Sequence, residues 1–89
     1  MLAIRRVSAF KRDYRRCVKR GYQIGKLHDT IERLAGGKKL DARHRNHSLV
    51  GAYRDCSECH IEPDWLLLYR LTDDELILIR TGTHADLFE

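Results

Sequence analysis

The segment Trp65–Thr81 has the sequence WLLLYRLTDDELILIRT, and this stretch decides the fold. Its first seven residues are almost continuously apolar, which is typical of a sheet strand covered on at least one face. Thr72-Asp73-Asp74 has the composition of a turn, and a second apolar run, ELILIRT, begins at Glu75. Two strand-like runs joined by a short polar turn predict an antiparallel hairpin.

Two amphipathic helices are predicted upstream of this hairpin. The first starts at about Ser8 and ends at about Arg20, with Gly21 as its stop, and the second spans roughly 24–35 before a Gly-Gly pair. A short strand at 2–7 precedes them, and a weaker extended pattern follows at 51–60. Apolar residues recur at helical spacing in both helices: Phe10, Tyr14, Cys17 and Val18 in the first, and Ile24, Leu27, Ile31 and Leu34 in the second.

The resulting order is strand, helix, helix, strand, strand, strand (β-α-α-β-β-β). It predicts an α+β fold in which both N-terminal helices pack on one face of a mostly antiparallel four-stranded sheet. The other sheet face is left for a ligand. With 89 residues, the chain has the length of one domain, 1–89.

No apolar run reaches the roughly 18 residues of a membrane span, and the N-terminus lacks the apolar core of a secretory signal. We therefore expect a cytoplasmic protein with no membrane partner. The three cysteines agree with this expectation, because an odd number without an export signal favours reduced thiols.

Basic residues concentrate in the first third of the chain. The net charge is +4 at pH 7, but residues 1–26 contain one acid, Asp13, whereas from Asp55 onward Arg70 and Arg80 are the only Lys or Arg residues. This asymmetry favours a surface that faces a polyanion such as nucleic acid, although a solvated helix face has the same composition. The basic residues of the first segment are Arg5, Arg6, Lys11, Arg12, Arg15, Arg16, Lys19, Arg20 and Lys26.

The segment Cys56–His60 matches the C-x-x-C-H pattern of haem attachment and half of a zinc site. Haem attachment requires export, and no second ligand pair completes a zinc site. In an extended segment Cys56 and Cys59 would point to opposite faces, so they could not share a metal. We expect two ordinary thiols with no disulfide between them, and neither a metal nor a cofactor.

Histidines supply the candidate chemistry. His47, His60 and His84 titrate near neutrality, and Asp64 follows His60 by four positions. Metal-independent RNA cleavage needs one group to remove the 2′-hydroxyl proton, another to protonate the departing 5′-oxygen, and cations to stabilise the phosphate. Histidines, a carboxylate and arginines meet those needs, although scattered histidines in a basic protein are more often plain surface residues.

Three segments resemble the YafQ-like branch of the RelE/ParE toxin superfamily: HSLVG at 47–51, CHIEPDWLLLY at 59–69 and RTGTHADLF at 80–88. The predicted element order also matches that superfamily, and only residues 52–58 are less clearly matched. The resemblance implies a toxin that cleaves mRNA in the ribosomal A site and is neutralised by a cognate antitoxin. We expect that antitoxin to be of the ribbon-helix-helix type, and operator DNA to be bound only through the toxin–antitoxin complex.

The resemblance assigns catalytic roles to His47, His60, Asp64 and His84. It also places Trp65 and Phe88 at or beside the site, and we count both as RNA contacts. Arg80 is our own addition to the RNA contacts, from its charge and its place before the tail. Taken alone, Trp65 is typical of a strand core but could also stack on a base, whereas Phe88 suits packing and ligand contact equally.

Two alternatives share the fold or the charge. ParE-like relatives poison DNA gyrase and are not nucleases, whereas a non-catalytic nucleic-acid-binding module would explain the basic surface. Neither function needs three histidines and the Phe88 tail. We therefore expect an endoribonuclease that uses histidine acid–base catalysis.

Overall fold

The computed structural model describes residues 1–38, 47–48 and 55–88, with 47–48 described in their backbone alone. The elements are β1 (Ala3–Arg6), α1 (Ser8–Lys19), α2 (Ile24–Ala35), β2 (His47–Ser48), β3 (Ser57–Glu62), β4 (Trp65–Leu71), β5 (Glu75–Gly82) and α3 (His84–Phe88). The predicted α+β class is confirmed. The two-residue β2 makes a fifth strand, and the predicted tail forms the short helix α3. The weak strand begins at Ser57, while residues 51–54 of its predicted range lie outside the described part.

The sheet has the strand order β1-β5-β4-β3-β2. The predicted hairpin is present, since β4 and β5 pair antiparallel with Leu71 opposite Leu76. In its turn the hydroxyl oxygen of Thr72 accepts the backbone N–H of Glu75 at 2.9 Å. β3 and β2 continue the antiparallel pairing, whereas β1 runs parallel to β5. The sheet is therefore mixed but mostly antiparallel, as predicted.

Both long helices are followed by a glycine with positive φ, 78° at Gly21 and 73° at Gly37. Glycine adopts this conformation without the steric cost that a Cβ brings. After α1 the backbone N–H of Tyr22 donates to Cys17 and that of Gly21 to Val18, at 3.1 and 3.0 Å, which is the Schellman arrangement. The stop predicted at Gly21 is confirmed. Within the described ranges, no helix has the length and apolar composition needed to cross a membrane.

Two apolar clusters lie on opposite faces of the sheet. The larger one is formed between the sheet and helices α1 and α2, and alternate residues of β4 belong to each cluster. The smaller cluster lies under α3 and includes partly buried Ile79. The helix-side cluster contains Phe10, Cys17, Leu27, Ile31, Leu34, Ala35, Cys59, Trp65, Leu67, Tyr69, Leu76 and Leu78, and the opposite cluster contains Leu66, Leu68 and Leu87.

All three cysteines are free and buried. Cys59 packs in the helix-side cluster, where burial raises the pKa of its thiol to about 12. Cys56 directly precedes β3. At neutral pH the Cys59 thiol is therefore protonated and serves as a small apolar group.

Candidate active site

The sheet face opposite α1 and α2 carries a buried histidine–carboxylate pair. Side chains alternate along β3, so Glu58 and His60 lie on this face whereas Cys59 lies in the helix-side cluster. Nε2 of His60 lies 3.1 Å from Oε1 of Glu58, and both residues are buried. Nδ1 of His60 lies 3.3 Å from the carbonyl oxygen of Pro63. Because a carbonyl only accepts, Nδ1–H donates to Pro63, and Nε2 is the ring nitrogen that faces Glu58.

A second pair joins the turn after β3 to the first residue of α3. Oδ1 of Asp64 accepts the backbone N–H of His84 at 2.9 Å and lies 2.5 Å from Nδ1 of the same residue. These two hydrogen bonds lower the pKa of Asp64 below its ordinary value, and the one from the backbone N–H has the larger effect. The carboxylate is therefore charged and Nδ1 is its protonated donor. Nε2 of His84 remains for proton exchange on a side chain that is half exposed.

The two pairs are close to each other. The ring centroids of His60 and His84 are 5.7 Å apart, and the ring of Phe88 lies 6.4 Å from that of His84. Phe88 is 46% exposed, so its ring is accessible beside the histidines. Three of the four predicted catalytic residues are thus brought together with Phe88. His47, the fourth, lies in β2 with its backbone opposite Glu58, and its side chain is outside the described part.

Glu58, His60 and His84 form a candidate metal centre. Each offers one ligand atom, and these atoms lie within 4.8 Å of one another. A carboxylate oxygen with two imidazole nitrogens is a donor set that suits a divalent transition-metal ion. Cys56 and Cys59 were the metal ligands considered from the sequence, and this set was missed. The signal that could have identified it is that Glu58 and His60 are separated by one residue, which places both on the same face of a strand.

Arg80 is held by a buried carboxylate from α1. Oδ2 of Asp13 lies 2.5 Å from Nε of Arg80 and accepts the backbone N–H of Thr81 at 3.1 Å. Its Oδ1 accepts a hydrogen bond from Arg16 at 2.9 Å. Asp13 is 3% exposed, and these cations compensate its desolvated charge. The Arg80 side chain is 23% exposed, and its contact with RNA stays a prediction.

Asp13 was also missed by the sequence analysis. Positions 10, 13 and 17 share one face of a helix, so Asp13 lies on the buried stripe of α1 between Phe10 and Cys17. Val18, which was predicted to belong to that stripe, is 51% exposed. A lone acid on the apolar stripe of a basic helix was the signal that could have identified it.

Trp65 is a core residue. Its side chain is 3% exposed, and its ring centroid lies 4.9 Å from that of Tyr22. Nε1–H donates to the hydroxyl of Thr81 at 2.9 Å, and that hydroxyl donates to the carbonyl of Leu66 at 2.7 Å. The side chain is almost fully buried, and its contact with RNA stays a prediction.

Known proteins resemble this chain closely in sequence and fold. The mRNA interferase toxin YafQ of Escherichia coli (strain K12) is 38% identical over 80 residues, which cover 89% of this chain and 87% of that protein. A chain of the E. coli DinJ-YafQ toxin–antitoxin complex superposes with a TM-score of 0.91 at 35% identity, covering 99% of this chain and 98% of that chain. A copper-bound mutant toxin from Helicobacter pylori has a TM-score of 0.93 at 36% identity, with coverage of 99% and 100%.

The model of a family described as bacterial toxin of type II toxin-antitoxin system, YafQ, matches residues 2–89. The fold and the site therefore place the molecule in the class of small bacterial toxins from type II systems. Within that class, the chain belongs to the YafQ toxin family, because the match spans nearly all of its residues.

Proposed function

We propose that this toxin is an endoribonuclease that cleaves mRNA on the ribosome by metal-independent attack of the 2′-hydroxyl on the adjacent phosphate. The observation that best supports this proposal is the pair of histidine–carboxylate hydrogen bonds, Glu58–His60 and Asp64–His84. The centroids of the two imidazole rings are 5.7 Å apart. The name of the E. coli relative, an mRNA interferase toxin, supports the substrate. Two proton-transfer groups at this separation can serve the two oxygens on either side of one phosphate.

We assign the general acid to His84. Asp64 accepts from Nδ1 and fixes the ring, which leaves Nε2 for the substrate on a side chain that is half exposed. An imidazolium there protonates the departing 5′-oxygen as the P–O bond breaks. The negative charge of Asp64 stabilises that imidazolium until the proton leaves.

We assign the second proton transfer to the Glu58–His60 pair. Because Nδ1 of His60 bonds to Pro63 and Nε2 bonds to Oε1, the carboxylate of Glu58 would take up the 2′-hydroxyl proton while the hydrogen bond to His60 is retained. His47 lies in the strand beside this pair and is the third predicted histidine of the site. The cationic Arg80 would stabilise the charge that develops on the phosphate, and Phe88 would stack on a base.

Binding to the ribosome would rest on the basic face of α1. Four cations of this helix are exposed: Lys11, Arg12, Arg15 and Lys19. Exposed cations on one helix attract the phosphates of ribosomal RNA, and this attraction weakens as salt increases. Cleavage of ribosome-bound mRNA in the cytoplasm would stop translation, which is the toxic effect.

A cognate antitoxin would neutralise the toxin. The DinJ-YafQ complex of E. coli supports such a partner, since its toxin-like chain matches nearly the whole of this one. We expect a ribbon-helix-helix antitoxin that supplies acidic residues to α1 or to the histidine face and carries the complex to operator DNA. Charge complementarity of this kind accelerates association more than it strengthens the final complex.

Metal ions should inhibit this reaction. A copper ion on Glu58, His60 and His84 would occupy the lone pairs that proton transfer requires, and the copper-bound H. pylori toxin supports binding of such an ion to this fold. Toxin that is treated with EDTA and freed of the chelator before it meets ribosomes should therefore cleave as before, and micromolar copper bound to the toxin should abolish cleavage. Loss of cleavage by the EDTA-treated toxin, with recovery when a metal ion is returned, would refute the metal-independent mechanism.

The test is cleavage on translating ribosomes. Purified toxin is added to a defined mRNA in translation, and new 5′ ends are mapped by primer extension. We expect ends within the codon in the A site, and none with His84→Gln. His28→Gln is the matched control, since His28 is exposed on α2 and bonds to Tyr14. An absence of new ends, with inhibition of gyrase instead, would favour the ParE-like alternative, and RNA binding without either effect would favour a non-catalytic module.

A further inference from the structure

Helix α3 is too short to hold its own orientation. It has five residues, and of these Leu87 is buried. Isolated helices become stable only beyond about 12 residues, so a single turn depends on what surrounds it. His84 and Phe88 are both on this turn, and the position of the candidate general acid is therefore set by the contacts of α3.

Besides Asp64, which bonds to His84, α3 has a polar contact with the residue that follows α1. Both oxygens of Asp86 accept hydrogen bonds from Arg20, with Nη1 at 2.6 Å and Nη2 at 3.1 Å. Arg16 lies 3.7 Å from the same carboxylate and is shared with buried Asp13. The bidentate bond from Arg20 is the largest cause that holds the pKa of Asp86 far below its ordinary range. This carboxylate is therefore charged throughout the pH range in which a histidine can act.

Asp86 also fixes the start of α3. Its Oδ2 accepts the backbone N–H of Thr83 at 3.0 Å, and its own backbone N–H donates to the hydroxyl of Thr83 at 3.0 Å. This reciprocal arrangement is a capping box. The loop before it is closely packed, because a Cβ at Gly82 would lie 2.8 Å from Oδ2 of Asp86 and 3.3 Å from Nη2 of Arg16. His84 is the residue directly after this cap.

We infer that the Arg20–Asp86 ion pair is a positioning device for His84, through which α1 sets the orientation of the candidate general acid. Arg20 acts on α3 and not on the substrate, so it is a positioning residue. Its effect on cleavage rests on the proposed function, whereas its effect on the geometry of His84 does not.

Positioning by Arg20 differs in its consequences from a general attraction of RNA by α1. Arg15 lies on the same helix and is exposed, and no described residue bonds to its side chain. Loss of either arginine removes one positive charge, but only loss of Arg20 releases Asp86. A misplacement of a catalytic group by about 1 Å can cost about 100-fold in rate, so the positioning role predicts a defect in kcat. A role in attraction predicts a defect in KM that grows with salt.

The experiment compares Arg20→Ala, Arg20→Lys and Asp86→Asn with the control Arg15→Ala. Cleavage on ribosomes gives kcat and KM, and NMR of the His84 imidazole nitrogens reports its hydrogen bond to Asp64 directly. We expect kcat to fall at least about tenfold in Arg20→Ala and Asp86→Asn, with a displaced His84 signal. Arg20→Lys should recover part of kcat, because a lysine keeps the charge but not the bidentate bond. Arg15→Ala removes a cation of the proposed ribosome-binding face, so it should raise KM and leave the His84 signal in place.

Equal losses in Arg20→Ala and Arg15→Ala that are confined to KM would overturn the inference. An unchanged His84 signal in both Arg20→Lys and Asp86→Asn would also overturn it, even if Arg20→Ala did not fold. If the wild-type protein cleaved no RNA, the proposed function would fail while the NMR comparison still tested the positioning of His84.

Discussion

Replacement of His84 by glutamine separates proton transfer from hydrogen bonding. The glutamine amide can still donate to Asp64, but it cannot exchange a proton near pH 7. Loss of one general acid or base typically lowers a rate by about 10²–10⁴-fold. At about 1.4 kcal/mol per tenfold change, this corresponds to an increase of about 2.8–5.6 kcal/mol in the activation barrier.

The cost in stability should be much smaller. The His84 side chain is 50% exposed and that of its partner Asp64 is 65% exposed, so their hydrogen bond forms in water-accessible surroundings. Surface substitutions of this kind change the free energy of unfolding by about 0.5 kcal/mol. His84→Gln should therefore fold and bind the antitoxin like the wild type.

The assay is single-turnover cleavage on ribosome-bound mRNA with enzyme in excess, because it measures the chemical step and excludes product release. Circular dichroism and antitoxin binding are measured first on the same preparations. His28→Gln provides the comparison for loss of an exposed histidine elsewhere. Near-full activity of His84→Gln would refute proton transfer by this residue and assign the acid to His60, His47 or a ribosomal group.

Three further outcomes follow from contacts of the core and of α3. Trp65→Phe removes the donor to Thr81 and leaves a small cavity, so urea denaturation should show that the free energy of unfolding falls by about 1–3 kcal/mol. Cleavage by the folded fraction should stay within about twofold of the wild type, and a large loss of activity in folded protein would support a contact of Trp65 with RNA. Gly82→Ala should lower the midpoint of thermal unfolding and reduce kcat, because its Cβ would collide with Asp86; an unchanged kcat would show that the loop adapts. Because the Arg20 bond lowers the folded-state pKa of Asp86, its stabilising effect is fully present above the ordinary carboxyl value of about 3.9 and is lost only as pH falls through the folded-state pKa. An NMR titration of the Asp86 carboxyl carbon should therefore show no step at pH 4 in the wild type and a step near it in Arg20→Ala.

The sequence predicted the fold wherever one periodicity dominates. The hairpin and both long helices have apolar spacings that match one element type, and the glycine that ends α1 was visible as a stop. Helix α3 was not predicted, because one turn has too few residues for a periodic pattern and is held by tertiary contacts such as Arg20–Asp86. β2 was not predicted either, because its two residues are also too few for a periodic pattern.

The candidate site was predicted in two of its histidines and in Asp64, whereas the carboxylates of Glu58 and Asp13 were missed. The resemblance to the toxin family identified His60, Asp64 and His84, which the structure brings together. Glu58 lies in the segment that was least clearly matched, and Asp13 is a buried acid whose partners come from distant parts of the chain. Burial of a charge depends on such partners, which a sequence pattern does not show.

The burial of Trp65 was left open by the sequence for a different reason. A continuous apolar run predicts a buried strand without indicating what covers each of its faces. In the structure Trp65 faces the helices, whereas the adjacent Leu66 faces the cluster under α3. Trp65, Leu67 and Tyr69 are predicted to lie on the same face of the strand, but the sequence does not show that this is the face covered by the helices.

The parallel pairing of β1 with β5 has a consequence for synthesis. Ala3 pairs with Glu75, so a strand that leaves the ribosome early has to wait for one made much later. Until then the sheet has no partner for β1, and α1 has no α3 on which Arg20 could act. A chain that is interrupted before Glu75 lacks both the strand that pairs with β1 and His84 of the candidate site. The sheet and the candidate site are therefore completed at the same stage of synthesis, after the ribosome has translated β5 and α3.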